Sequence, residues 1–213
     1  AGMEAVSKAR EGSAKQAPDT AKKRPDLSTS PSWSDPRVDT FAKKLDTYYA
    51  SVKDPWFQSD VEYGIAGLRT GPRTSDRDLY DRYLKGRPVL YDVPEYTRFF
   101  SSFYADHLMR FPFRSDTDAL IHDIAAARTD SLKALLAKND LLKDDRLNEL
   151  VLITQVYAEH ANKQFDRAGI LKVLADVRDH SHYQEHRLIA ADMLWDLTSM
   201  QPGTQLPPVP VRD

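Results

Sequence analysis

Cysteine is absent from all 213 residues. Its absence excludes disulfides, thiolate catalysis and thiolate metal ligation within the chain. It does not select a compartment, because a chain without thiols tolerates reducing and oxidising surroundings alike. Glycine is scarce, with 8 residues, and none of them frames a G-x-S-x-G nucleophile turn. "GIAGLRTG" has glycines at 64, 67 and 71, but no strand precedes it and no Lys-Ser/Thr pair follows, so it is not a phosphate loop. Gly64 and Gly67 are expected to permit close helix contact, and Gly71 to end a helix. No run of about 18 apolar residues occurs, so no transmembrane helix is expected. Residues 1–23 lack the apolar core of a signal peptide. No charge of one sign dominates: 30 Lys and Arg face 32 Asp and Glu, a net −2 that argues against a nucleic-acid backbone as partner.

A hydrophobic fraction of 41% and a charged fraction of 29% fit a globular chain with room for one large or two small domains. Residues 1–32, rich in Ala, Lys, Ser, Asp and Pro, read as a polar linker or tail. From residue 33 to 203 the pattern is helical. "SDPRVDTFAKKLDTYYASV" offers Asp35 as N-cap and Pro36 at the first helical position, where a missing N–H costs nothing. Val38, Phe41, Leu45, Tyr48, Tyr49 and Val52 follow at helical spacing. "KDPWFQSDVEYGIAGL" repeats the device with Asp54, Pro55 and a stripe of Phe57, Val61, Ile65 and Leu68. A third start, "DVPEYTRFFSSFYADHLM", opens an aromatic helix predicted over 94–109. Its Phe99, Phe100, Phe103 and Tyr104 leave too little polar circumference for a surface position.

Further helices are expected around Leu120, Ile121 and Ile124, and in "TDSLKALLAKN", capped by Thr129 or Asp130. "RLNELVLITQVYAEHANK" follows, started by Asp144 or Asp145. Next come "FDRAGILKVLADVRDHS", capped by Asp166, and "YQEHRLIAADMLWDLTSM". In the last, Leu188, Ile189, Met193, Leu194 and Leu197 are expected on one side, with Pro202 and Gly203 as stop signals. The total is about eight or nine helices with no strand before residue 205. Short connections make an all-α array of antiparallel helical hairpins the expected fold.

Three groups of residues are candidates for a site. In "DHSHYQEH", His180, His182 and His186 are candidate metal ligands, with Asp179 or Glu185 as an oxygen donor. Their split between a loop and the next helix favours another reading. His180 then neutralises the carbonyl end of one helix, and His186 packs beside Arg187. The aromatic run can be a stacking surface, but its spacing favours a core. In "YDRYLKGRPVLYDVPEY" a helix through Tyr83 and Leu84 stops at Gly86, Arg87 and Pro88 force an extended passage, and Val89 to Tyr91 are expected to be buried. If this connection lines a groove, Arg87, Tyr91 and Tyr96 are its candidate residues. A buried crossing between helices is the favoured reading.

Several stretches resemble the helical region that precedes a C-terminal thioredoxin-like (redoxin, TlpA-type) domain in envelope proteins of the Bacteroidota. They are "DPWFQSDVEYGIAGL", "YLKGRPVLYDVPEYTRFFSSFYADHL", "LLKDDRLNELVLITQVYAEH", "ILKVLADV" and "EHRLIAADMLWDLTSMQPGTQLPPVPVRD". Together they cover most of residues 36–213, in order. The resemblance implies that residues 204–213 are an extended lead-in to the redox domain. That lead-in usually reads nearer "APDFxLxD", so "LPPVPVRD" departs from it at the aromatic position. It further implies a non-catalytic auxiliary role with no cofactor, either positioning the redox domain or binding its client; a location in the cell envelope, in the periplasm or associated with the outer membrane, with a lipoprotein as one form; and as partners the thioredoxin-like domain in cis and an envelope protein client or complex. A rival expectation is a stand-alone helical adaptor docking on an envelope complex. A third, a small-molecule-binding helical domain, would show a deep apolar pocket with converging polar groups.

Overall fold

The structure is a computed structural model that describes residues 35–70, 74–110 and 112–199. The expectations for residues 1–32 and 204–213, for Gly71 and for the stop at Pro202 and Gly203 fall outside the described residues. Within them the chain is all α-helix, without a strand. Nine helices have eight or more residues: α1 (Asp35–Tyr48), α2 (Pro55–Arg69), α3 (Asp76–Tyr83), α4 (Pro94–Phe103), α7 (Thr117–Ala125), α8 (Thr129–Leu136), α9 (Asp145–Ala158), α10 (Arg167–His180) and α11 (Gln184–Ser199). Two single-turn helices, α5 (His107–Arg110) and α6 (Pro112–Ser115), bridge α4 and α7. Consecutive helices pair across short connections, most extensively α10 with α11, and α2 pairs with α4 across the small α3.

The starts follow local chemistry. Asp54, Asp144 and Asp166 each accept a hydrogen bond from the backbone N–H three residues on, at 2.7, 2.9 and 2.8 Å. Each satisfies one of the orphan donors of a first helical turn. α4 is different, because its N-cap Val93 has no side chain able to cap. Asp60 of α2 supplies the missing acceptor, taking the N–H of Glu95 at 3.2 Å.

α9 forms the centre. Leu147, Leu150, Val151, Leu152, Ile153 and Val156 are all buried, so nearly its whole circumference is covered by α5, α8, α10 and α11. α10 meets α7 at backbone contact: a Cβ on Gly169 would lie 2.2 Å from the carbonyl oxygen of Ile124, so only glycine fits this crossing. Gly64 and Gly67 have no such role. A Cβ at Gly64 would make an ordinary 3.7 Å contact with Glu95, and one at Gly67 would meet open space.

Four local expectations change. The aromatic helix ends at Phe103, not 109, because Asp106 turns into the left-handed region at φ 55° and the chain restarts as α5. In α2 the expected stripe is a flank. Ile65 is buried but Phe57, Val61 and Leu68 are half-buried, and the deepest residues are Tyr63 and Ala66. The cause is that α2 lies between α1 and α4 and is partly covered on both sides. α8 begins at Thr129 itself, after a sharp turn in which Ala127 adopts φ 51°. In α11, Leu188 faces outward at 59% exposure, while His186 and Ala190 take the buried positions against α9 and α10.

Candidate functional site

The connection between α3 and α4 is pinned at several points. Gly86 takes φ +66°, which turns the chain where a side chain would be strained. The Tyr63 hydroxyl donates to the carbonyl of Tyr83 at 2.8 Å, and Trp56 Nε1 donates to the carbonyl of Asp92 at 3.0 Å. Val89 to Tyr91 are half-buried rather than buried, because one side of this passage faces a cleft.

That cleft has a volume of about 550 Å³. Its walls are Tyr96 and Phe100 of α4, Leu150 and Thr154 of α9, and Leu188, Ile189 and Met193 of α11, with Val89 and Tyr91 closing one end. Glu185 is its one ionised lining residue, and Arg146 pairs with it at 3.0 Å. Thr97 and Thr154 already donate their hydroxyls to helix carbonyls, at Val93 and Leu150.

Behind Tyr91 lies a buried polar network. His186 is fully buried; its Nδ1 stands 2.8 Å from Glu149 Oε1 and its Nε2 2.7 Å from the Tyr91 hydroxyl. A carboxylate only accepts, so Nδ1 carries the hydrogen in this bond. Arg146 Nε donates to the same Tyr91 oxygen at 3.0 Å, which leaves the tyrosine hydrogen for His186 Nε2. Ser181 donates to Glu149 Oε1, and Lys133 reaches Glu149 Oε2 at 3.2 Å and Asp145 at 2.8 Å. Burial opposes ionisation of Glu149, but the bonds from His186, Ser181 and Lys133 outweigh it and hold its carboxyl down at about 2. Burial likewise raises the Tyr91 phenol, against the opposing pull of Arg146.

Ser181, His186 and Glu149 have the composition of a hydrolase triad but not its wiring. The serine hydroxyl donates to the carboxylate, not to the imidazole, and the second imidazole nitrogen faces Tyr91. No nucleophile–base bond exists in this trio, which clamps α9 to α11 and to the end of α10, while Lys133 ties in α8.

The candidate residues therefore separate. Tyr91 and Tyr96 line the cleft, whereas Arg87 turns to the α2 side and pairs with Glu62 at 2.7 Å. His180 ends α10, exposed, beside Asp176 at 2.9 Å; His182 is exposed in the α10–α11 connection; His186 is buried in the network. His186 was expected to pack beside Arg187; it is instead held by Glu149 and Tyr91. No group of three or more His, Asp or Glu among the described residues is placed to hold a metal ion. Among them, too, no helix is long and apolar enough to cross a membrane. Glu149, Arg146, Lys133 and Ser181 were not singled out in the sequence. The signal for Glu149 is its neighbourhood: an acid inside "RLNELVLITQV", where the helix is apolar on almost every side, has no solvent face to occupy. A second cleft, of about 570 Å³, lies between α1, α2 and α3 and is edged by the charged Asp46, Lys53, Glu62 and Arg82. Its polar centre is the buried Arg69, which pairs with Asp39 of α1. The chain matches no family model, no curated protein and no solved structure.

Proposed function

We propose that this helical unit is a non-catalytic auxiliary region of a larger cell-envelope thioredoxin-like thiol-disulfide oxidoreductase, and that it works by binding the client of the redox domain. The observation that carries the binding reading is the cleft between α4, α9 and α11, apolar along its walls and backed by a rigid polar network at Tyr91. Such a combination of apolar lining and few fixed polar groups is the usual form of a binding site. The chain itself has no cysteine for disulfide exchange, and the Ser181–His186–Glu149 cluster is wired for support rather than attack. The association with a redox domain and with the envelope rests on the resemblance of the five sequence stretches.

The test uses the full-length protein expressed from its gene. Client reduction by wild type is compared with Leu188→Asp, which places a charge in the cleft wall at an exposed position. Impaired reduction of natural clients with unchanged reduction of a small disulfide is the expected result. Equal client reduction by both proteins overturns the binding role, and a reading frame with no Cys-x-x-Cys domain after Asp213 overturns the redox association.

One observation favours the alternative of an adaptor on an envelope complex. Leu188 and Trp195, 59% and 51% exposed, lie two helical turns apart on α11 and leave apolar surface outward.

A further inference from the structure

α11 forms one wall of the cleft and leads directly into the chain that follows it. Residues 200–213 lie outside the described residues, but their sequence, "MQPGTQLPPVPVRD", matches the cleft in reach, chemistry and charge. Pro202 and Gly203 favour a turn. Beyond them, Thr204 to Arg212 in a polyproline conformation span about 25 Å, while α11 rises about 21 Å from Glu185 to Ser199. A segment that reverses at this turn therefore runs back along Met193, Ile189 and Leu188 as far as Glu185. Leu206 to Val211 carry no charge, and Pro207, Pro208 and Pro210 have no N–H to strand against an apolar lining. The opposite wall offers the rings of Tyr91, Tyr96 and Phe100, the kind of surface on which proline-rich segments dock. Arg212 comes level with Glu185, the one ionised residue of the lining. Arg146 pairs with Glu185 Oε2, and a carboxylate accepts at both oxygens, so a second cation can share it.

We infer that residues 206–211 of this chain dock in the cleft between α4, α9 and α11 as an extended proline-rich strap, antiparallel to α11, with Arg212 on Glu185. The short tether holds the segment at an effective concentration on the order of millimolar, so a weak intrinsic affinity is enough to fill the cleft. The cleft then has an internal occupant that a client must displace. That consequence rests on the binding role proposed above; the docking itself does not.

The absence of cysteine leaves an introduced pair without competing thiols. In the 213-residue chain, Leu188→Cys with Val209→Cys is expected to form a disulfide under mild oxidation roughly tenfold faster than Lys172→Cys with Val209→Cys, because Lys172 is exposed on α10, outside the cleft. Equal rates overturn the docking. Calorimetry with the capped peptide acetyl-Leu-Pro-Pro-Val-Pro-Val-Arg-amide gives an independent readout. The peptide is expected to bind the chain carrying Val209→Asp and Val211→Asp, whose own segment is expelled, and to bind wild type roughly tenfold more weakly, because there the tethered segment competes. Binding to wild type as tight as to the variant, or binding to neither, overturns the inference. Leu188→Asp added to that variant abolishes the binding; retained binding overturns the cleft as the site. Glutamate in place of the peptide's arginine weakens binding about threefold, the effect of one exposed ion pair; unchanged affinity overturns the Glu185 contact and leaves the docking. None of these readouts involves disulfide reduction of a client, so the client-reduction comparison decides separately whether the auxiliary role survives.

Discussion

Two regions of the molecule are held together by opposite means. Around α2, α3 and α4 the contact is aromatic: Tyr63, Tyr83, Tyr96, Phe99, Phe100 and Phe103 interlock with ring centroids 4.7 to 6.3 Å apart. Around α8, α9 and α11 the centre is ionic, with Glu149 buried among His186, Ser181 and Lys133. The rings gain mainly from buried area, with edge-on and stacked contacts that many aromatic pairs can make, while the carboxylate must satisfy a fixed set of donors. The first region therefore supplies bulk stability and the second fixes how α11 is set against α9. The cleft forms where they meet, which gives it an apolar wall and a polar end.

Substitutions sharpen or break this contrast. Phe99→Ala should show the largest effect, about 3–5 kcal/mol in a denaturant melt, since Phe99 is 1% exposed between Tyr63, Tyr83 and Phe103. That loss should be the same at pH 7 and pH 4. If Phe99→Ala, Phe100→Ala and Phe103→Ala are all near neutral, the aromatic region is not the core.

Glu149→Gln comes next, at about 1–3 kcal/mol, and its effect depends on pH. The carboxyl titrates at about 2 in the folded chain against an ordinary 4.5. Its contribution is therefore complete above pH 4.5 and disappears as pH falls toward 2. Wild type should lose stability across that window, and the variant should lack this component of the slope. An equal slope in both proteins removes Glu149 as the keystone of the seam.

Tyr91→Phe should cost about 0.5–1.5 kcal/mol, because it takes a partner from both His186 and Arg146 while keeping the ring. A neutral result would show the network ending at His186. Zinc should have the smallest effect: no saturable rise in melting temperature is expected, because His180, His182 and His186 are dispersed. A stoichiometric rise abolished by His182→Ala would contradict that geometry.

The aromatic region was legible and the ionic one was not, for a physical reason. Phe99, Phe103 and Phe100, Tyr104 recur at i,i+4, and large apolar side chains at that spacing have few places to go but inward. The caps Asp54, Asp144 and Asp166 were equally readable, because capping is a contact between near neighbours. Glu149 belongs to a chain with 32 acidic residues, most of which meet water, and its partners lie 16, 32 and 37 positions away. Its apolar neighbourhood marks Glu149 as covered, but nothing local names the partners that satisfy it. The connection through Arg87, Tyr91 and Tyr96 was legible as a shaped passage, but the partition of its residues depends on α2 and α9, which sequence spacing does not place. The end of α4 was misjudged because a single left-handed residue, Asp106, outweighs an apolar pattern that runs on past it.

The Tyr91–His186 bond joins positions 95 apart in the chain. Most helices pair with a near neighbour in sequence, so their hairpins form quickly and independently, whereas this bond closes a loop of nearly half the protein and carries the corresponding entropic cost. A growing chain therefore cannot complete its cleft until α11 has been made.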